Sequence, residues 1–154
     1  MAAKLNYVEG ECFAVPLRDG GFAIGVVARA NAAGVLLGYF FGPRRDVVPG
    51  IDAFAGLRPE DAILVRKVGD LGLTKGTWPV LGRLPSWDRL AWPVPVFVRY
   101  EELSGRSFRV FYDDDDPGRV LREEPTSPGE GEQGPKDGLM GAGFAEKALT
   151  RLLS

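Results

Sequence analysis

The sequence contains no histidine and only one cysteine, Cys12, among its 154 residues. The absence of histidine excludes a Ser-His-Asp triad and removes the commonest ligand of transition metals. A single cysteine excludes an internal disulfide and a zinc site built from several thiolates. A catalytic site would therefore have to use carboxylates, lysine, tyrosine or Cys12, and we expect Cys12 to fill a small buried position instead.

Long apolar runs are also missing. No segment approaches the roughly 20 apolar residues that a membrane-spanning helix needs. The first residues, MAAKLNYVE, lack the apolar stretch of a secretory signal. Apolar residues make up 45% of the chain and charged residues 26%, which is typical of a globular domain. We therefore expect a cytoplasmic protein that does not bind membranes.

Acidic residues are concentrated in one part of the chain. The formal net charge is −2, but residues 113–137 hold nine Asp or Glu and only three Arg or Lys. The same segment is rich in Pro and Gly and has few aliphatic residues with which to form a core. We therefore expect residues 1–112 to form a β domain and residues 113–142 to be a mobile acidic linker with fast amide exchange.

The first 112 residues show the alternation and turn signals of short strands. Residues 11–17 and 22–29 flank an Asp-Gly-Gly turn and predict a hairpin. Residues 35–41 are apolar on both faces and predict a central strand, and residues 63–68 predict another. Residues 96–103 and 106–113 predict an aromatic closing hairpin. These patterns together favour a mainly β fold, a small antiparallel, barrel-like twisted sheet.

The chain ends in a segment with helical periodicity. Residues 143–154 begin GFAEKALTRLL, which places Phe144, Ala148, Leu149 and Leu152 on one stripe of a short helix. A helix of this length is marginal by itself, so we expect that stripe to dock on the β domain.

The stretch GLTKGTWPVLG, residues 72–82, is rich in residues that restrict or permit special backbone conformations. Gly72, Gly76 and Gly82 allow turns, and Pro79 fixes its own φ angle. Large aromatic residues in a small β domain usually lie in the core, so Trp78 is predicted to anchor this stretch. The stretch is therefore interpreted as structural.

Other loop residues are candidates for contact with a partner protein, because Trp and Arg often carry the binding energy of interfaces. A dense acidic patch also steers association with a basic partner, although a solvated strand end explains the same residues. The candidates are Arg44, Arg45, Trp87, Trp92, Asp113, Asp114, Asp115 and Asp116. Four consecutive acids lack the alternating ligands and glycine turn of a calcium loop, so no metal site is predicted.

Two other functions remain open at this point. A small β-barrel nucleic-acid or ligand-binding module would use basic residues near aromatic ones. The available cations are few, which makes nucleic acid the less favoured ligand; they are Arg44, Arg45, Arg66, Lys67 and Lys75. An enzyme would need a carboxylate pair such as Glu60-Asp61 or Glu101-Glu102, with one pKa raised in a cleft.

Several of these segments, in their order along the chain, resemble a known family. They are EGECFAVPLRDGGFAIGVVAR at residues 9–29, the apolar third strand, GLTKGTWPVLGRLP at residues 72–85, and the aromatic hairpin that ends at Tyr112. Together they resemble the immunity protein 26 family of bacterial polymorphic toxin systems. Glu11 stands where that family more often has Asp, and residues 113–154 lie outside the resemblance.

The resemblance implies a function. A protein of this family would be a non-catalytic immunity protein that binds and inhibits a cognate toxin, in the manner of toxin-antitoxin pairs, with the toxin encoded beside it. It would need no cofactor.

Overall fold

The computed structural model describes residues 6–127 and 134–154. Nine strands are present in these ranges: β1 Glu11–Pro16, β2 Phe22–Ala30, β3 Val35–Arg45, β4 Leu64–Gly69, β5 Val80–Arg83, β6 Phe97–Glu101, β7 Arg106–Tyr112, β8 Val120–Thr126 and β9 Leu139–Met140. The helices are α1 Leu71–Thr74 and α2 Ala142–Leu152, with 3-10 turns at Ile51–Phe54, Pro59–Asp61 and Arg89–Ala91. None of the helices in these ranges is long and apolar enough to cross a bilayer.

The strands form two sheets. Six strands pair in the order β5-β1-β2-β3-β4-β9, and three pair in the order β6-β7-β8. All pairings are antiparallel except that of β4 with β9. The mainly β fold with a short C-terminal helix is confirmed. Among the described strands, β5 and β9 are the open edges of the larger sheet, so the twisted sheet is not closed into a barrel.

Both predicted hairpins are confirmed, because each rests on a local turn signal. β1 and β2 pair across a turn in which Gly20 and Gly21 have φ of 105° and 77°, which glycine adopts without steric cost. β6 and β7 pair from Phe97 with Val110 to Glu101 with Arg106. β3 is central, as its apolar composition predicts, because it lies between β2 and β4.

The larger sheet is covered on both faces. One face packs against α2 and the segment around Trp78, in a cluster that includes Phe13, Phe40 and Leu149. The other face packs against the smaller sheet, in a cluster that includes Ile24, Phe41, Phe97 and Val110. Strands buried on both sides contain continuous apolar runs, which explains why β2 and β3 lack a polar face.

The helix docks through Leu149, which belongs to the predicted stripe, but not through Phe144 or Leu152. Its fully buried residues are Ala145 and Leu149, whereas Phe144 and Leu152 are 70% and 52% exposed. The prediction was wrong because Glu146 fixes the rotation of the helix. Its carboxylate accepts hydrogen bonds from Trp78 Nε1 at 2.8 Å and pairs with Arg18 Nε at 3.1 Å, which turns the neighbouring Ala145 toward the sheet.

Residues 113–142 contain more structure than their composition predicts. β8 pairs with β7 from Ser107 with Thr126 to Tyr112 with Val120, and β9 pairs with β4. The expectation of an unpacked linker is therefore wrong for these two strands. The physical reason is that backbone hydrogen bonds hold β8 in the sheet although most of its side chains are exposed. The division of the chain into three domains stays a prediction.

Candidate partner-binding surfaces

The acidic run after β7, Asp113 to Asp116, contains two aspartates that pair with arginines. Arg29 is 2% exposed, and its Nε and Nη2 donate to the backbone oxygen and Oδ1 of Asp114, each at 2.9 Å. Arg89 pairs with Asp114 Oδ2 at 2.8 Å, Asp115 Oδ1 at 2.9 Å and Glu9 Oε1 at 2.6 Å. The hydrogen bond from Arg29, with the charges of both arginines, lowers the pKa of Asp114. Asp114 and Asp115 of this run therefore already form ion pairs within the protein.

The other two aspartates of the run close turns. Asp113 Oδ1 accepts from the amide of Asp115 at 2.8 Å, and Asp116 Oδ1 accepts from the amide of Gly118 at 2.9 Å. Asn31 also donates to Asp116 at 2.8 Å. In residues 6–127 and 134–154, no group of three or more His, Cys, Asp or Glu side chains is placed to hold a metal ion.

The two candidate tryptophans pack against the sandwich. Trp92 is 3% exposed and lies edge-on to Tyr39 and Phe41, with ring centroids 5.2 and 5.9 Å away. Trp87 is half-buried, lies 6.1 Å from Trp92, and covers Gly10 so closely that a Cβ there would be 2.9 Å from its ring. Trp92 therefore has almost no surface to offer a partner, and Trp87 offers only part of its ring.

Arg44 and Arg45 lie at the other end of the sheet. Arg44 donates to Asp19 and to the backbone oxygen of Gly20, so it clamps the first hairpin turn. Arg45 pairs in register with Phe22 at the start of β2, whereas Arg29 lies near its end. Seven residues of strand correspond to about 23 Å. The structure therefore divides the predicted contacts between two ends of the molecule.

The stretch 72–82 is anchored in the core by Trp78, as a structural role requires. Trp78 is fully buried and stacks on Phe13, with ring centroids 5.7 Å apart and planes 5° apart. A Cβ at Gly72 would lie 2.4 Å from the Trp78 ring. Gly76 and Gly82 have φ of 80° and 127°, and the Pro79 carbonyl accepts from the amide of Ala14 at 3.1 Å. The stretch thus joins the core to β1 and β5.

Most of the residues considered for an enzyme are engaged in ion pairs or are buried, and Glu102 is exposed. Asp61 pairs with Arg58 at 3.2 Å, and Glu101 pairs with Arg99 at 3.2 Å. Burial raises the pKa of the Cys12 thiol to about 12, so this thiol stays protonated at neutral pH.

The cations considered for nucleic acid do not share one face. Lys67 is buried, pairs with Asp137 Oδ1 at 3.1 Å and lies 3.5 Å from the ring centroid of Tyr112. Arg66 precedes it in β4 and therefore points to the opposite face, the one that α2 covers. Arg44 is held at the first hairpin turn by Asp19.

One large concave surface was not predicted from the sequence. It is an open groove of about 850 Å³ between the start of β4, the segment 134–140 and the end of α2. The apolar lining includes Ile63, Leu64, Pro93, Pro95, Met140, Ala148 and Leu152. Three cations also line it, Arg66, Lys136 and Arg151, with Glu60 as the acid.

The segment 134–140 forms one wall of this groove because it bridges the two sheets. The Val98 amide donates to the Pro135 carbonyl, and the Asp137 amide donates to the Val98 carbonyl, both at 2.8 Å. Farther along, Leu139 and Met140 pair with Lys67 and Val68 of β4.

Among the described residues, the positive charges that line the groove outnumber the negative charges near them. Glu60 lines the groove, and its Oε1 lies 3.7 Å from Nε of Arg58, a residue that is not part of the lining. Arg66 Nε is buried and has no hydrogen-bond partner in the described ranges, and burial lowers the pKa of Arg66. Lys136 and Arg151 are exposed, and neither forms an ion pair with another described residue. In the part of the chain that the structure describes, the groove therefore combines an apolar lining with two exposed cations that form no ion pair, Lys136 and Arg151, and with Arg66, whose charge is partly compensated by Asp137.

One signal for this groove was present in the sequence. Phe144, Ala148 and Leu152 do form one stripe of α2, but that stripe faces outward and its last two members line the groove. The return of residues 134–140 to β4 has no comparable signal, because β9, backbone hydrogen bonds and the contacts of Asp137 with Lys67 and Tyr112 hold it, and all of these join residues far apart along the chain.

Comparison with known proteins identifies the family of this chain. Residues 8–109, which are more than half of it, match the family model described as Immunity protein 26. No significant match was found among curated proteins or among solved structures. The matched range includes Ile63 and Arg66 of the groove, whereas Lys136, Arg151 and Leu152 lie beyond it. The chain therefore belongs to the immunity protein 26 family.

Proposed function

We propose that this chain is a non-catalytic immunity protein that binds and inhibits a cognate bacterial toxin domain in the cytoplasm. The observation that carries this proposal is the match of residues 8–109 to the immunity family. The toxin is expected to be encoded by the adjacent gene.

The architecture suits a binding protein. The larger sheet is covered on both faces, so its loops, its open edges and the outer side of α2 remain for contact. A stable complex of ordinary size buries about 1,600 Å² in total, with a few central residues that carry most of the energy. The groove and the exposed apolar residues around it offer surface of that kind.

Co-expression tests the proposal. The toxin domain encoded beside this gene should arrest growth when it is produced alone, and co-expression of this chain should restore growth. A toxin from an unrelated system serves as the specificity control and should remain toxic. Continued arrest with the cognate toxin, despite abundant soluble protein, would contradict the proposal. Salt-dependent oligonucleotide binding in its place would favour a nucleic-acid-binding module, because the salt slope counts phosphate contacts.

A further inference from the structure

The outer side of α2 carries an apolar stripe that no other described element covers. Phe144 and Leu152 are 70% and 52% exposed, and Ala148 lies between them at helical spacing. Ala148 and Leu152 also line the groove, so the stripe runs directly into it. Ile63 is exposed and continues the apolar surface on the opposite wall.

Positive charge surrounds this surface. Arg66, Lys136 and Arg151 line the groove, and Lys147 lies 5.6 Å from the ring centroid of Phe144. Many other cations of the protein are already paired, as Arg29 is with Asp114 and Arg99 is with Glu123. Lys136 and Arg151 lack such partners in the described part of the chain, whereas Arg66 interacts electrostatically with Asp137 without an ion-pair contact. A ligand that supplies carboxylates would satisfy them.

We propose that this surface, formed by Ile63, Arg66, Lys136, Ala148, Arg151 and Leu152, docks an acidic and apolar segment of the toxin. The inference rests on the proposed function and names the chemistry of the partner. Apolar side chains of that segment would occupy the groove lining while its carboxylates pair with the three cations. Some groove residues lie inside the range that matches the family and others lie outside it. The family match alone therefore does not describe this surface.

Matched charge variants test the electrostatic half of the proposal. Lys136→Gln with Arg151→Gln removes two exposed groove cations, and Lys75→Gln with Arg83→Gln removes two exposed cations elsewhere. Both double variants lower the net charge by two, so a difference in their association rates reports where on the protein the charges lie. With the purified toxin domain of the adjacent gene at low salt, the groove pair should slow association about fivefold. The control pair should change the association rate less than about twofold. The difference in rate between the two pairs should shrink at high salt.

A second matched pair tests the apolar half. Leu152→Asn removes an apolar contact from the groove, and Leu103→Asn makes the same change at the tip of the β6–β7 hairpin, where Leu103 is fully exposed. The Leu152 variant should dissociate from the toxin domain about tenfold faster, because apolar contacts act mainly on dissociation. The Leu103 variant should dissociate at the wild-type rate. Melting temperatures of all variants establish that each one folds.

The outcomes separate this inference from the proposed function. Groove variants that bind a toxin as tightly as the wild type would overturn the inference and leave the proposed function intact. A wild-type chain that binds no cognate toxin would overturn both. Wild-type protein that self-associates in sedimentation, and loses this association in the groove variants, would also overturn the inference, because the occupant would then be a second copy.

Discussion

The buried guanidinium of Arg29 donates hydrogen bonds both to the carboxylate and to the backbone oxygen of Asp114. It also donates to the backbone oxygens of Ala28 at 2.6 Å and Trp92 at 3.0 Å. One side chain therefore joins β2, the loop before β6 and the turn after β7. This arrangement gives the acidic run a structural role, whereas the sequence suggested either a patch that steers association with a basic partner or a solvated strand end.

Asp114→Asn is expected to lower the free energy of unfolding by about 1 to 2 kcal/mol, because it removes charged hydrogen bonds to Arg29 and Arg89. The matched change Asp115→Asn should cost less than about 0.5 kcal/mol, since that side chain is 85% exposed. Urea denaturation measures both. Unchanged stability of the Asp114 variant, together with slower toxin association, would instead support a role of the acidic run in steering a basic partner.

Trp78→Ala should destabilise the protein by about 3 to 5 kcal/mol, the usual loss for a large buried aromatic residue. Its ring contacts Phe13 and Phe40, and its Nε1 donates to Glu146, so the substitution also frees α2. Thermal and urea unfolding provide the measurement, and Leu103→Ala is the exposed control. A variant with wild-type stability that no longer binds the toxin would show that Trp78 serves binding.

Gly72→Ala should cost about 1 to 3 kcal/mol, because the added Cβ would overlap the Trp78 ring in a filled core. Gly50→Ala is the control, since its Cβ would meet nothing within 4 Å and its φ is −77°. Urea midpoints should therefore separate the two variants. Equal midpoints would mean that the Trp78 ring moves freely, which is incompatible with an anchoring role.

The parts of the fold that could be predicted from sequence are those encoded locally. The turn at Gly20 and Gly21, the apolar run of β3 and the aromatic hairpin all contain their own signals. β8 contains none, because its pairing with β7 uses backbone groups that every sequence provides. The predicted stripe of α2 joined the buried Leu149 to the exposed Phe144 and Leu152. Which side of α2 docks depends also on the bonds that Arg18 and Trp78, distant in sequence, donate to Glu146.

The candidate surfaces, too, could be predicted only where the signal is local. Trp87 and Trp92 were predicted from residue type alone, and packing against Tyr39 and Phe41 removes Trp92 from the surface. The groove requires Lys136 and Arg151 to meet Arg66, and these residues are far apart along the chain. Composition could not show that Asp114 and Asp115 pair with arginines while, among the residues that the structure describes, Lys136 and Arg151 form no ion pair.

Asp137→Asn should destabilise the protein by about 3 kcal/mol at pH 7, because it leaves the buried charge of Lys67 unpaired. Burial raises the pKa of Asp137, but hydrogen bonds from Tyr112 and Lys67 outweigh this effect and the net pKa is lowered. A carboxyl with a lowered folded pKa stabilises above its unfolded pKa of about 3.9 and loses this contribution as the pH falls through the folded value.

The stability difference between wild type and Asp137→Asn should therefore stay constant from pH 7 to about 5 and narrow only below about pH 4. Urea denaturation across this range measures it, with the exposed Asp46→Asn variant as the control. A difference that already narrows near pH 6 would contradict the lowered pKa.

Hydrogen exchange tests whether residues 120–126 form a paired strand where the sequence predicted an unpacked linker. The amides of β8 that bond to β7 should exchange at least about tenfold more slowly than free peptide, since they open only with the sheet edge. The turn at residues 114–118, before β8, should exchange faster than β8 itself. Free-peptide rates across residues 120–126 would restore the interpretation of an unstructured linker.

Titration of the purified toxin domain with this chain tests the central claim most directly. The activity of the toxin, measured with its own substrate, should fall in proportion to added immunity protein and vanish near one molar equivalent. The Lys75→Gln, Arg83→Gln control should give the same titration. Full toxin activity in the presence of excess folded protein would contradict the claim that this chain is its inhibitor.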